Sequence, residues 1–213
     1  EAVARKLREA NPGFDGKVTS TIEASVVTAL AFLSHEVTDI SPVRALTGLK
    51  SLSCGGSDTP KGKLADLWPL HGLALSSLNI QHTAVSDLVP LRGMPLTHFE
   101  CYWTPVSDLS PLEGMPITAI DCARTNVSDL SPLSGMPLAL LYCNGAQVSD
   151  LSPLAGRPLI SLICDFQPTR DTDVLRAIKT LEKINGKPAA EFWKEVDGEN
   201  QPTEANWASP AED

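Results

Sequence analysis

From residue 65 onward the apolar positions of the chain keep a strict rhythm. Asp-Leu-x-Pro-Leu recurs with Asp at 66, 87, 108, 129 and 150, each 21 residues after the last. An older-looking copy, Thr38-Asp39-Ile40-Ser41-Pro42-Val43, stands 27 residues ahead of Asp66, because a loop from 55 to 63 intervenes. Between copies, Leu78 and Ile80, Phe99 and Cys101, Ile120 and Cys122, and Leu141 and Cys143 alternate with polar or aromatic residues. A period of two marks a short strand with one inward face. Seven strands are predicted near Leu30, Leu52, Leu78, Phe99, Ile120, Leu141 and Leu162, and Ile184 offers an eighth. A unit this short cannot close a core alone, so successive units must stack into a parallel sheet and bury leucines between them.

Each Asp-Leu-Ser-Pro-Leu phrase reads as a tight 3₁₀ turn on the opposite side: Asp accepts from free backbone N–H groups, and Pro suits the first helical turn. Gly93, Gly114, Gly135 and Gly156, each followed two residues later by Pro, return the chain to the sheet. Both ends read as caps, which stacked repeats need to cover their terminal cores. Ala2 to Ala10 has an amphipathic helical pattern on Val3 and Leu7, stopped by Asn11-Pro12-Gly13, and Lys17 to Glu23 fits an edge strand. At the other end Asp171 is placed as the N-cap of a helix through Leu181, Lys183 to Gly186 as a last strand and turn, and Pro188 as the start of a helix burying Phe192, Trp193 and Val196. The expected division is an N-terminal cap (1–24), repeats (25–167), a helical C-terminal cap (168–197) and a flexible acidic tail (198–213) carrying Trp207.

Composition narrows the function. With 26 acidic and 17 basic residues the net charge is -9, and no dense Lys/Arg run exists, which argues against a nucleic-acid partner. The longest apolar stretch, near Val26 to Leu33, is too short to span a bilayer, so no membrane segment is expected. The chain opens at Glu1 rather than Met, which reads as a trimmed start.

The repeated phrases, with Leu96, Phe99, Cys101, Thr104 and Val106 between two of them, resemble the leucine-rich-repeat superfamily, and within it the short bacterial repeats related to internalins. Gly93 to Leu96 and the ending from Ile184 to Trp193 look like repeat regions attached to large bacterial multidomain proteins, some of them serine/threonine kinases. The resemblance covers roughly residues 25 to 187. It implies an α/β, β-rich solenoid: a right-handed superhelix with a parallel concave sheet, a 3₁₀ and loop convex side and helical caps. It also implies an interaction module of a larger bacterial protein. Two features depart from the pattern: Thr83, Thr104 and Thr125 replace the usual Asn, and Cys replaces the second strand leucine. The backbone-satisfying ladder that Asn supplies must therefore differ here.

Five cysteines, Cys54, Cys101, Cys122, Cys143 and Cys164, share one inward strand position. They line up as a row rather than converging as a tetrahedron, so core thiols are expected and a metal is not. Reduced thiols suit a cytoplasmic setting. The Asp column reads as capping rather than calcium binding. His35, His71, His82 and His98 have no partner at ligand or triad spacing, and no catalytic motif is present, so they read as lone surface residues and neither cofactor nor catalysis is expected.

What changes while the frame repeats is the outward face: Asn79, Gln81 and His82, then Glu100, Tyr102 and Trp103, then Asp121 and Arg124, then Tyr142 and Asn144, then Ile163, Asp165 and Phe166. Exposed aromatics beside acids are typical anchors for a protein partner. The expectation is a monomeric recognition module that binds a basic or hydrophobic-basic protein or peptide on this face. A structural spacer without a specific ligand is the alternative. An enzyme would need converging ionisable groups, for which His98, Glu100 and Asp121 are the candidates.

Overall fold

A computed structural model describes residues 1–199. In chain order it holds helix α1 (Ala2–Ala10), strands β1 (Thr19–Glu23) and β2 (Val26–Ala31), then the three-residue strands β3 (Ser51–Ser53), β4 (Ser77–Asn79), β5 (His98–Glu100), β6 (Ala119–Asp121), β7 (Leu140–Tyr142) and β8 (Ser161–Ile163). Helix α2 (Pro168–Ala177), strands β9 (Lys183–Ile184) and β10 (Lys187–Pro188) and helix α3 (Ala189–Glu199) complete it. All ten strands form one sheet in sequence order, parallel from β2 to β9 and antiparallel at each end, where β1 pairs β2 and β10 pairs β9. All eight strand centres read from the sequence are present. The expected tail with Trp207 lies outside the described residues, except for Gly198 and Glu199, which belong to α3 instead.

Register is unbroken along the parallel part. Leu30, Leu52, Leu78, Phe99, Ile120, Leu141, Leu162 and Ile184 pair in one column, each buried. A ladder beside it continues past the strand ends: the amides of Cys54, Ile80, Cys101, Cys122 and Cys143 donate to Asn79, Glu100, Asp121, Tyr142 and Ile163 carbonyls at 2.8–2.9 Å. The last rung has no following turn, and there Asn185 Oδ1 accepts from the Cys164 amide at 2.9 Å. Asn185 and Gly186 form the two-residue turn between β9 and β10 with positive φ, the geometry that Asn-Gly favours in hairpins.

The convex side is made of 3₁₀ turns, at Ser41–Ala45, Trp68–Leu70, Val89–Leu91, Ser110–Leu112, Ser131–Leu133 and Ser152–Leu154. Ahead of each, an Asp Oδ1 accepts from the amide two residues on: Asp39 from Ser41, Asp66 from Trp68, Asp87 from Val89, Asp108 from Ser110, Asp129 from Ser131 and Asp150 from Ser152, at 2.7–2.8 Å. Those amides and the Ser hydroxyls hold the Asp129 and Asp150 carboxyls below the ordinary aspartate range. The Asp column thus acts on the backbone. Gly93 and Gly114 leave their turns at φ +74° and +75°; a Cβ there would meet nothing, so the requirement is backbone freedom, not space.

The Thr substitutions bond within their own turn. Thr83, Thr104 and Thr125 hydroxyls donate to the carbonyls of Ile80, Cys101 and Cys122, three residues back, at 2.7, 2.5 and 2.7 Å. A hydroxyl has one proton to give, so it satisfies one carbonyl and leaves the rest to the main-chain ladder.

One cap expectation needs correction. Helix α2 begins at Pro168 after Gln167 and ends at Ala177, so Asp171 lies inside its first turn. From there its buried carboxylate accepts from the Gln167 amide at 2.8 Å and from both Arg170 Nε and Nη2. At the other end Asn11 does more than stop α1. Its Nδ2 donates to Leu7 and Asp39 carbonyls and its Oδ1 accepts from Thr38 and Asp39 amides, at 2.8–3.0 Å, stitching the cap to the first turn. Asn11 is buried, so Asn11→Ala strands several backbone groups away from water. The expected loss is about 2–3 kcal/mol of unfolding free energy, measured by urea denaturation; a loss within error would contradict this role.

Candidate functional site

Because the register is constant, equivalent residues of successive turns line up across the concave face. One outward column runs Asn79, Glu100, Asp121, Tyr142, Ile163. On its two sides lie Ser77, His98, Ala119, Leu140, Ser161 and, just past the strands, Gln81, Tyr102, Ala123, Asn144, Asp165. The columns meet at an open pocket of about 300 Å³, walled by Gln81, His98, Glu100, Tyr102, Ala119, Asp121, Leu140 and Tyr142 and floored by Phe99 and Ile120. Ala119 and Leu140 were not expected in it. The signal was there in the period-two pattern, one outward position before Asp121 and Tyr142.

The pocket is acidic. Glu100 and Asp121 are paired across β5 and β6, so two carboxylates sit side by side one strand spacing apart. Partial burial, against which the Ala123 amide works in the other direction, and the nearby Glu100 charge move the Asp121 carboxyl above its ordinary value of 3.8. Burial and the charges of Asp121, Glu100 and Asp58 push the Tyr102 phenol upward too. Asn79 Nδ2 donates to Glu100 Oε2 at 2.5 Å, and the Ala123 amide to Asp121 Oδ1 at 2.9 Å. Among the described residues neither carboxylate has a cationic partner. His98 Nδ1 meets Thr97 Oγ1 at 2.9 Å, and no hydrogen bond among the described residues joins its ring to Glu100 or Asp121.

After β4, β5, β6 and β7 the chain turns through a left-handed residue: His82, Trp103, Arg124 and Gly145 respectively, with φ from +53° to +69°. Three of these are not glycine, an uncommon conformation for bulky side chains. Their side chains stack along the solenoid edge. The Trp103 ring lies 6.0 Å from the His82 ring at 19°, with the Arg124 guanidinium 4.9 Å from its centroid. The inserted loop folds onto the same edge: the Gly56 and Gly62 amides donate to Gln81 and His82 carbonyls, Asp58 Oδ1 lies 3.0 Å from His82 Nε2, and Lys61 Nζ lies 5.1 Å from the Trp103 ring.

Several expected site residues therefore stand elsewhere than the open face. His82 is 5% exposed, covered by Tyr102, Trp103 and Asp58, and is no lone surface histidine. Phe166 turns into the C-terminal cap against Phe192 and Trp193, at 5.0 and 6.0 Å between centroids, so it belongs to packing. Asn144 and Asp165 continue the column of Gln81 and Tyr102, and Asp165 Oδ2 accepts from the Gly145 amide at 2.7 Å. Glu100, Tyr102, Asp121 and Tyr142 gather at the pocket with Gln81 on its wall, Asn79 bonds to Glu100, and Ile163 continues the column beyond Tyr142. Trp103 and Arg124 line a separate groove at the edge.

Comparison with solved structures places this architecture. The crystal structure of an internalin (inlF) from Listeria monocytogenes is similar at a TM-score of 0.68 and 26% identity, over 85% of this chain and 54% of that one. The chain has an internalin-related leucine-rich-repeat fold. Internalin C2 (inlC2) from the same organism matches at a TM-score of 0.67 and 21% identity, over 85% of this chain and 81% of that one. The chain thus spans about half the length of the first of these internalins. No family model matches the sequence, and no curated protein matches it.

In these internalin-like repeats all five cysteines are free and buried in one row. Burial pushes the Cys54 and Cys164 thiols up to about 12 and raises the other three as well. A thiol held protonated is a poor nucleophile. At pH 8 a disulfide-exchange reagent such as Ellman's should therefore find none of the five reactive in the native protein and all five after unfolding in guanidinium. A thiol that reacts rapidly in the native state would contradict the burial of the row.

Proposed function

We propose that these repeats are a non-catalytic protein-recognition module of a larger bacterial protein, with residues 25–167 presenting the recognition surface between caps at 1–24 and 168–197. The concave face binds a partner segment by seating a basic side chain in the pocket of Glu100, Asp121, Tyr102 and Tyr142. The observation that carries this reading is the pair of adjacent carboxylates, one of them partly buried, facing an open pocket without a cation of their own. Like charges side by side are destabilising, and a bound cation relieves them. Tyrosine faces add cation–π attraction and area at low entropic cost. An internalin-related fold supports protein binding in general.

A peptide array of extended nine-residue sequences, each varied at one central position, tests this. The protein should enrich Arg and Lys at that position, and the Glu100→Gln, Asp121→Asn variant should lose the enrichment. Tyr102→Ala and Tyr142→Ala should each weaken binding of the best basic peptide by about ten-fold. Ionised Asp121 is the form that attracts a cation and its carboxyl titrates above 3.8, so affinity should climb as pH rises from 4 to 7 and fall with added salt. Equal signals for Arg, Ala and Glu, or enrichment unchanged in the double variant, would leave the spacer reading as the better account.

A further inference from the structure

The strongest feature outside the acidic pocket is the groove of about 390 Å³ beside it, lined by Lys61, Thr83, Trp103, Thr104, Pro105 and Arg124. We propose that this groove is a second subsite, and that it takes an acidic side chain, Asp or Glu, of the same partner segment. The inference deepens the reading above and rests on its concave-face surface, though not on the acidic pocket's choice of a cation.

Three observations carry it. Lys61 Nζ and Arg124 Cζ both lie about 5 Å from the Trp103 centroid, so two positive charges share one ring. Neither has a carboxylate partner among the described residues, since Asp58, the acid nearest Lys61 in sequence, is turned to His82 instead. Two like charges held together in a chain of net charge -9 form a local positive spot that a carboxylate complements. Finally, the spot is assembled from distant pieces. Lys61 arrives on the inserted loop, held by the Gly56 and Gly62 amides, and Arg124 has room because position 145 is glycine: a Cβ there would come 3.0 Å from Arg124 Cγ. Trp103 itself is 38% exposed, a rigid shelf within about 5 Å of both cations.

The two subsites are close. Tyr102 lines one and Trp103 the other, and the Cα atoms of Asp121 and Arg124, three residues apart, are separated by roughly 10 Å at most. An extended segment advances about 3.3 Å per residue, so its acidic residue falls about three positions from its basic one. The partner is thereby specified as dipolar: one cation and one anion at a fixed interval, opposite in sign to the surface at each point.

Two peptides test it, Ac-Ala-Arg-Ala-Ala-Glu-Ala amide and the same peptide with Gln for Glu, titrated into ¹⁵N-labelled protein while the Trp103 indole N–H resonance, assigned by Trp103→Phe, is followed. The Glu peptide should bind about five-fold tighter, and the advantage should vanish in the Lys61→Gln, Arg124→Gln variant, whose changes are confined to exposed side chains. A third peptide with Ala for Arg separates the two readings. If it still moves the Trp103 resonance of the parent and not of the variant while the Arg–Gln peptide leaves the spectrum unchanged, the acidic pocket fails and this subsite stands. Equal affinity of the Glu and Gln peptides, a Glu advantage that survives in the variant, or a Trp103 resonance that no peptide moves at millimolar concentration overturns the proposal.

Discussion

Most turns of this solenoid give only three residues to the sheet, and no turn has a core of its own, so everything rests on each turn stacking on the next in register. The leucine column from Leu30 to Ile184 and the amide ladder beside it are one constraint seen twice: the apolar side chains set the spacing and the main-chain hydrogen bonds forbid slippage. A one-residue slip would turn the inward residues to solvent. Fully burying a leucine contributes about 1.5–3 kcal/mol, so no single rung holds the structure, and the column is stable only as a whole. Its ends show what this requires. Asn11 ties the first turn to α1 with side-chain hydrogen bonds, and Asn185 supplies with an amide oxygen the acceptor that a following turn would have provided.

Constant register also organises the surface. Outward residues of neighbouring strands are brought one strand spacing apart whatever their chemistry, so Glu100 and Asp121 are forced side by side and Tyr142 is delivered to the next rung. A scaffold that supplies its own stability can hold such an unfavourable pair. The same stacking carries His82, Trp103 and Arg124 into an edge column despite their left-handed backbone, and the inserted loop docks there. The acidic pocket thus comes from this one geometric rule, and the basic groove from the same rule together with the inserted loop that brings Lys61.

The repeating part of the fold was legible because period-two strands, Asp-x-Ser-Pro turns and the 21-residue spacing all report local geometry. The Asp column and the cysteine row stand as that reading implied. What was not legible depended on contacts between distant segments. Nothing local told that Phe166 would leave the outward face for Phe192 and Trp193, because the cap that receives it lies some 26 residues on. His82 looked like a surface residue until the loop at 55–63, whose path no periodicity predicts, covered it through Asp58. Asp171 looked like an N-cap because Asp commonly is one, yet Pro168 starts α2 earlier and leaves Asp171 to hold the first turn from inside. At the site, Ala119 and Leu140 were not legible because neither is polar or aromatic, although both occupy outward positions of the strand pattern.

On the function proposed above, recognition belongs to the concave sheet and not to the convex turns or the caps. Site-specific photo-crosslinking measures this directly. A benzophenone amino acid placed singly at Ala119 or Leu140 on the concave face, and at Ser134 or Glu113 on the convex side, is irradiated in a lysate of bacterial cells, and the adducts are compared by mass. One discrete adduct should be shared by the two concave positions, abolished in the Glu100→Gln, Asp121→Asn background and absent from the convex positions. Discrete adducts from the convex positions with none from the concave ones would contradict it.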